Sequence, residues 1–179
     1  MKKLNNIKLF ETFSGLEDEA RLKESIVKLL NEQIKNELES SQIYRAMSCY
    51  LDDIGLIEAS KYYFKSADEE LKHMNKIYEY LFEKNCKAKT PECPSVKESY
   101  KDIYELVEES LKHEILVTKN WNDIANEALK EKDNDTYCLS QWYLTEQIED
   151  EGKFRDLMFK IRLDMPKWKI EELFENLNK

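Results

Sequence analysis

The sequence predicts an all-α protein: a four-helix bundle with a long crossover between its second and third helices, followed by a short fifth helix at the C-terminus. Three observations carry this. Charged residues make up 36% of the 179-residue chain, while Gly and Pro number only three each, a composition that suits long helices. Four segments repeat apolar residues at steps of three and four, the spacing that lines one face of a helix. The stretch between the second and third segments holds Pro91 and Pro94 and is too long for a tight hairpin, so the helices it joins run parallel.

Residues 1–20 form an N-terminal extension. Lys2, Lys3 and Lys8 precede Phe10 and Phe13, an acidic cluster follows, and Gly15 breaks the run. This reads as a partly ordered tail, although its apolar residues could also dock on the bundle or a neighbouring subunit. The bundle occupies residues 21–165. Its first helix runs from about Arg21 to Asp53 on a stripe that includes Ile26, Leu30, Tyr44, Met47 and Leu51, and Gly55 supplies the turn after it. The second helix runs from about Ile57 to Lys84 on Tyr63, Ala67, Met74, Ile77 and Leu81. Ser95 and Glu98 fit a capping box ahead of the third helix, which covers about Lys101 to Lys132 on Ile103, Val107, Val117, Trp121 and Ile124. Asp133 to Thr136 offer N-caps for the fourth helix, which reaches about Leu163 on Tyr143, Phe154, Leu157 and Ile161. Pro166 stops that helix or opens the next. Residues 166–179 form a short amphipathic helix whose Trp168, Ile170 and Phe174 call for something to pack against.

Each of the four stripes is broken near its middle by a polar group. Glu37 interrupts the first, Glu70 the second, Glu114 the third, and Gln147 with Asp150 the fourth. The interval from Glu37 to Glu70 equals that from Glu114 to Gln147, so two similar hairpins would bring these groups to one level of one core. His73 follows Glu70 at Glu-x-x-His spacing, which puts both side chains on one helix face within reach of one ion. Glu-x-x-His alone is a weak signal in so glutamate-rich a chain; the matched interruptions make it a strong one. A carboxylate in an apolar stripe is costly unless it is paired or binds a metal, and several at one level repel one another. Two readings follow: hydrogen-bonded acids that fix helix register, or a two-metal site, which the absence of cations from the stripes favours. One imidazole among carboxylates suits iron or manganese better than copper or zinc. His113 lies off the stripe and reads as outside the ligand set. Tyr44 reads equally as core or as a redox-active phenol, and Trp121 as core.

The net charge of −9 argues against a nucleic-acid or anionic-membrane partner and favours cations. No apolar run approaches a membrane span, and the N-terminal residues lack a secretory apolar core, so a cytoplasmic location is expected. Cys49, Cys86, Cys93 and Cys138 read as reduced thiols rather than a disulfide framework or a zinc site.

Leu30-Asn31-Glu32-Gln33-x3-Glu37-Leu38-x-Ser40-Ser41-x2-Tyr44, Glu69-Glu70-x2-His73-Met74, Lys112-His113-Glu114 and Gln141-Trp142-Tyr143-x2-Glu146-Gln147-x-Glu149 resemble the non-haem prokaryotic ferritins, over about residues 24–164. The resemblance implies the ferritin-like bundle and a hollow 24-subunit homo-oligomeric cage. In such a cage Fe(II) is oxidised by dioxygen or peroxide at a ferroxidase centre inside each subunit and stored as ferric mineral. It implies that Glu37, Glu70 and His73 hold a first iron, and that Glu70 bridges to a second held by Glu114 and Asp150. Gln147 stands beside them, orienting dioxygen or water, and Tyr44 is an electron donor or hydrogen-bonder. Glu69, Glu146 and Glu149 match the family's additional iron site. Asp150 is one methylene shorter than the usual glutamate. Lys153, not histidine, stands three residues after Asp150, so no haem is expected. The rival readings are a rubrerythrin-like di-iron oxidase or peroxidase, which normally carries a second Glu-x-x-His, and a structural subunit with a degenerate site.

Overall fold

The computed structural model describes residues 22–178 except 94, 162 and 163, so the expectations for residues 1–20 and for Pro94 lie outside the described residues. Five helices make up the fold: α1 (Glu24–Asp53), α2 (Ile57–Glu83), α3 (Ile103–Glu131), α4 (Asn134–Lys160) and α5 (Lys167–Leu177). α1 packs along α2 and α3 along α4, the two hairpins meet through α1 and α3, and α5 lies on α2.

Local chemistry sets the ends of these helices. Gly55, at φ +75°, takes the left-handed conformation that closes the α1–α2 turn, with its N–H on the Asp52 carbonyl. Lys132 adopts the same region, at φ 59°, to end α3. Asp133 caps α4 by accepting from the Thr136 N–H at 3.1 Å. The third helix differs from expectation. It begins at Ile103, and residues 95–100 are not helical, so Ser95 and Glu98 form no capping box. The N-cap sits seven residues on. Asp102 accepts from the Glu105 N–H at 2.8 Å, and Glu105 accepts from the Lys101 N–H at 2.5 Å. The fourth helix ends at Lys160, short of the expected Leu163.

The crossover runs the length of the bundle. At its start, Asn31 of α1 donates to the Lys87 carbonyl and accepts from the Lys89 N–H at 2.6 Å. At its end, Tyr100 packs edge-on against Tyr50 of α1, ring centroids 5.3 Å apart. Asn31 and Tyr50 are about 28 Å apart along a helix at 1.5 Å per residue. The chain is thus returned to the end of the bundle where α2 began, and α3 runs parallel to α2.

Two apolar clusters fill the bundle. One contains Tyr44, Met47, Leu51, Tyr63, Leu106 and Phe154; the other contains Ile26, Leu30, Ile34, Ile77, Leu81 and Trp121. On α1 the boundary falls between Ile34 and Tyr44, at Glu37. The polar level therefore lies between two dry blocks that hold it rigidly. All four cysteines are free thiols, with only Cys86 buried.

The partner of the fifth helix is its own bundle. Ile170 and Phe174 are buried, and the Phe174 ring lies 5.5 Å from Tyr62 and 6.1 Å from Tyr63, while Trp168 stays exposed. Glu171 fastens the same helix at a second point. Its carboxylate accepts from the backbone N–H groups of Ile57, Glu58 and Ala59 at 2.5, 2.8 and 3.2 Å. These are donors that the first turn of α2 leaves unpaired, and the negative charge meets the positive end of the helix dipole. Glu171→Ala should lower stability by about 1–2 kcal/mol in urea unfolding and speed hydrogen exchange in the first turn of α2, whereas Glu171→Gln, which keeps an acceptor, should cost less.

Candidate metal centre

The polar interruptions of the four stripes meet at one level. Glu37 on α1 and Glu70 and His73 on α2 converge so that one ligand atom from each lies within 4.8 Å of the others. Helical spacing brings Glu70 and His73 together, with Nδ1 of His73 3.2 Å from Oε2 of Glu70. The α1–α2 hairpin adds Glu37. Two carboxylates and one imidazole make a hard, oxygen-rich donor set that fits Fe(II).

Glu37 and Glu114 have hydrogen-bond donors aimed at them. Gln33, one turn before Glu37, donates to Glu37 Oε1 at 2.8 Å, and the indole N–H of Trp121 reaches the same oxygen from α3 at 3.3 Å. Glu114 on α3 accepts from the Tyr44 hydroxyl and, at 2.7 Å, from the Gln147 amide of α4. Trp121 stacks on Tyr143, centroids 3.7 Å apart and planes within 10°. Tyr143 in turn donates to the carbonyl of His73 at 2.7 Å, tying α4 to the ligand-bearing turn of α2. The sequence reading of Trp121 as core thus misses half its role. Its burial was readable from the stripe, but its donation to Glu37 depends on how α3 meets α1.

Burial dominates the electrostatics. It is the main cause that pushes the Glu37 carboxyl up to about 8, with repulsion from Glu70 next. Burial, and then Glu114, raises Glu70 well above the usual range. Glu114 is pushed up to about 7 by burial, against the opposing hydrogen bonds from Tyr44 and Gln147. The Tyr44 hydroxyl is raised by burial and by the Glu114 charge, so it remains a donor. His113, with its Nε2 2.7 Å from the Ser40 hydroxyl, lies outside the convergent group and is held neutral by burial, which lowers it to about 4.

The remaining candidates lie further out. Asp150 is paired with Lys153 at 2.8 Å. Glu69 is partly exposed and lies 3.8 Å from Lys65; Glu146 is half-buried and Glu149 exposed. A cavity of about 710 Å³ runs from Tyr44, Glu70, His73 and Glu114 past Asp150 and Lys153 to Glu69 and Glu146 at its outer part. Its lining is mixed in charge, with Lys65, Lys72 and Lys76 beside the outer carboxylates.

A Ferritin-like domain model matches residues 27–163. The chain is 34% identical to the bacterial non-heme ferritin of Campylobacter jejuni over 142 residues, 79% of this chain and 85% of that protein. It is 32% identical to the bacterial non-heme ferritin of Escherichia coli O157:H7, covering 79% of this chain and 86% of that one. Among solved structures it resembles the open pore ferritin of the archaeon Archaeoglobus fulgidus, with a TM-score of 0.84 at 31% identity, covering 89% of this chain and 98% of that one. Among the described residues, no helix is long and apolar enough to cross a membrane.

Carboxyls held above their ordinary 4.5 bind more protons in the folded than in the unfolded chain. Their contribution to stability is therefore complete below about 4.5 and is lost as pH rises towards about 8. The metal-free protein should lose stability across that window in denaturant titrations. Glu37→Gln, which keeps the shape without the ionisation, should flatten the slope, and an unchanged slope would show that Glu37 carries no such proton.

Proposed function

The chain belongs to the ferritin-like family, and on that premise we propose that it is an iron-storage protein that oxidises Fe(II) with dioxygen inside each subunit and keeps the ferric product in a cage of like subunits. The observation that carries this is the convergence of Glu37, Glu70 and His73 within 4.8 Å, between two apolar blocks and with Glu114 across the same core.

In this reading Fe(II) is the substrate. Glu37, Glu70 and His73 bind the first ion. Glu70 also serves the second, together with Glu114 and Asp150, so one carboxylate draws two ions close. Two Fe(II) each give up one electron, and dioxygen takes both and leaves, with two protons, as hydrogen peroxide. Peroxide could in turn serve as an oxidant. Tyr44 and Gln147 hold Glu114 in position through its two oxygens. Tyr44, in contact with Glu114, is the candidate electron donor, and Gln147 orients dioxygen or water. Glu69, Glu146 and Glu149 mark an outer iron position, and the cavity offers a path between it and the inner pair. A cytoplasmic location fits the free thiols.

Aerobic loading with tens of Fe(II) per subunit, followed by size exclusion with iron and protein read on one peak, tests storage. Iron well beyond three per chain should elute with a particle far larger than a monomer. Two irons per chain on a small oligomer would instead mark a non-storage di-iron enzyme. Glu70→Ala, which removes the shared ligand, should slow initial Fe(II) oxidation by at least about 100-fold, the scale of losing a group that acts on both reacting centres. A wild-type rate in that variant would exclude this site.

A further inference from the structure

The stripes of the bundle carry no lysine or arginine, but Lys65, Lys72, Lys76 and Lys153 line the cavity that reaches the buried acids, and of these four Lys153 pairs with Asp150. Lys153 lies on α4 one turn after Asp150, and its ammonium is 2.8 Å from Asp150 Oδ1. The two side chains line the same cavity as Glu70, Glu114, Glu69 and Glu146. Asp150, Glu69 and Glu149 all act on the ammonium. Asp150 is thus distinguished from Glu37, Glu70 and Glu114. Glu37 and Glu114 take hydrogen bonds from amide, indole and phenol groups, whereas Asp150 faces a full positive charge. It also stands outside the group of ligand atoms that converge on His73.

Lys153 is not locked in place. Its side chain is 40% exposed, and a four-carbon stem lets the ammonium swing to water without moving α4. The pair is close in sequence and partly solvated, so its contribution to folding is small, on the order of 0–1 kcal/mol. A divalent ion arriving at Asp150 faces both a carboxylate already occupied and a nearby like charge.

We propose that Lys153 is a tethered cation that holds the second metal position until a metal displaces it, making the two ions of each subunit bind in order, the first tightly at Glu37, Glu70 and His73 and the second more weakly at Glu114 and Asp150. This rests on the two-ion reading of the site. The lysine is a positioning residue: it sets the affinity of the second ion by engaging Asp150, and it touches no substrate itself.

Calorimetric titration of the metal-free, assembled protein with Zn(II), which undergoes no oxidation, separates the two claims. The wild type should show two binding steps of distinct affinity. Lys153→Met, which keeps the length of the stem, should tighten the second step about tenfold or more and leave the first within about threefold. Adding Lys153→Met to Asp150→Asn should produce little of that gain, since the lysine then has no carboxylate to withhold. If the wild type binds no Zn(II), or binds it undiminished in Glu37→Gln and Glu70→Ala, the two-ion reading itself fails. If the first step is present and Lys153→Met leaves the second unchanged or weaker, the site stands and the role of Lys153 is overturned. A full gain that persists without Asp150 would also overturn it, because the lysine would then act only as a diffuse charge.

Discussion

Burying carboxyl groups in a dry helical bundle is the constraint to which the rest of this structure answers. A buried carboxylate with no partner costs several kcal/mol, and Glu37, Glu70 and Glu114 lie at one level between two apolar blocks. The neighbours resolve the cost with donors rather than with cations. Gln33 and Trp121 serve Glu37, Tyr44 and Gln147 serve the two oxygens of Glu114, and Glu70 lies against the His73 ring. Among the described residues no buried side-chain polar atom lacks a hydrogen-bond partner. The amide, indole and phenol donors bring no positive charge, and burial still holds all three carboxyls above their ordinary range, an arrangement that a bundle built only for stability would have no reason to keep. Replacing such acids with apolar residues of similar volume is commonly neutral or stabilising. Their presence is therefore better explained by what they bind than by what they hold together.

Much of this was legible in the sequence because helical spacing is local information. The stripes through Glu37 and Glu114 are buried residue for residue, and the Glu70–His73 contact follows from their separation by three. Gly55 and Asp133 end and begin helices where their chemistry says they should. Contacts between helices were less accessible. Trp121 reads as core from its stripe, and nothing in its spacing says that its N–H points at Glu37. The capping motif before α3 was readable in kind but not in place, because Ser-x-x-Glu and Asp-x-x-Glu occur seven residues apart and only the return of the crossover onto Tyr50 decides between them. The cap that Glu171 provides for α2 joins residues 113 apart in sequence, and no local pattern encodes it. On α4 the stripe runs through Asp150, but the partner that neutralises it comes from beside the stripe.

The fifth helix shows how a short element can be held firmly. Eleven residues are too few for a helix to be stable alone, yet here one face buries Ile170 and Phe174 and the adjacent Glu171 fills the open end of α2. The two attachments act on different terms, one through apolar area and one through charge and hydrogen bonding, so neither temperature nor salt weakens both in the same way. Docked there, α5 also brings Leu177 to the wall of the cavity that reaches Glu70, His73 and Glu114.

The weakened acidity of Glu37 and Glu114 has a consequence for how the site would fill. Near neutral pH the empty level is partly protonated, and a metal ion can use those oxygens only after the protons leave. On the proposed reading, filling is ion exchange: positive charge enters as metal and departs as acid, and the core changes its net charge less than the incoming ions alone would demand. A bundle that trades cations in this way needs no large rearrangement to accommodate them. It does need somewhere to send the acid, so its rate of filling depends on the buffer at the cavity mouth as well as on the supply of metal.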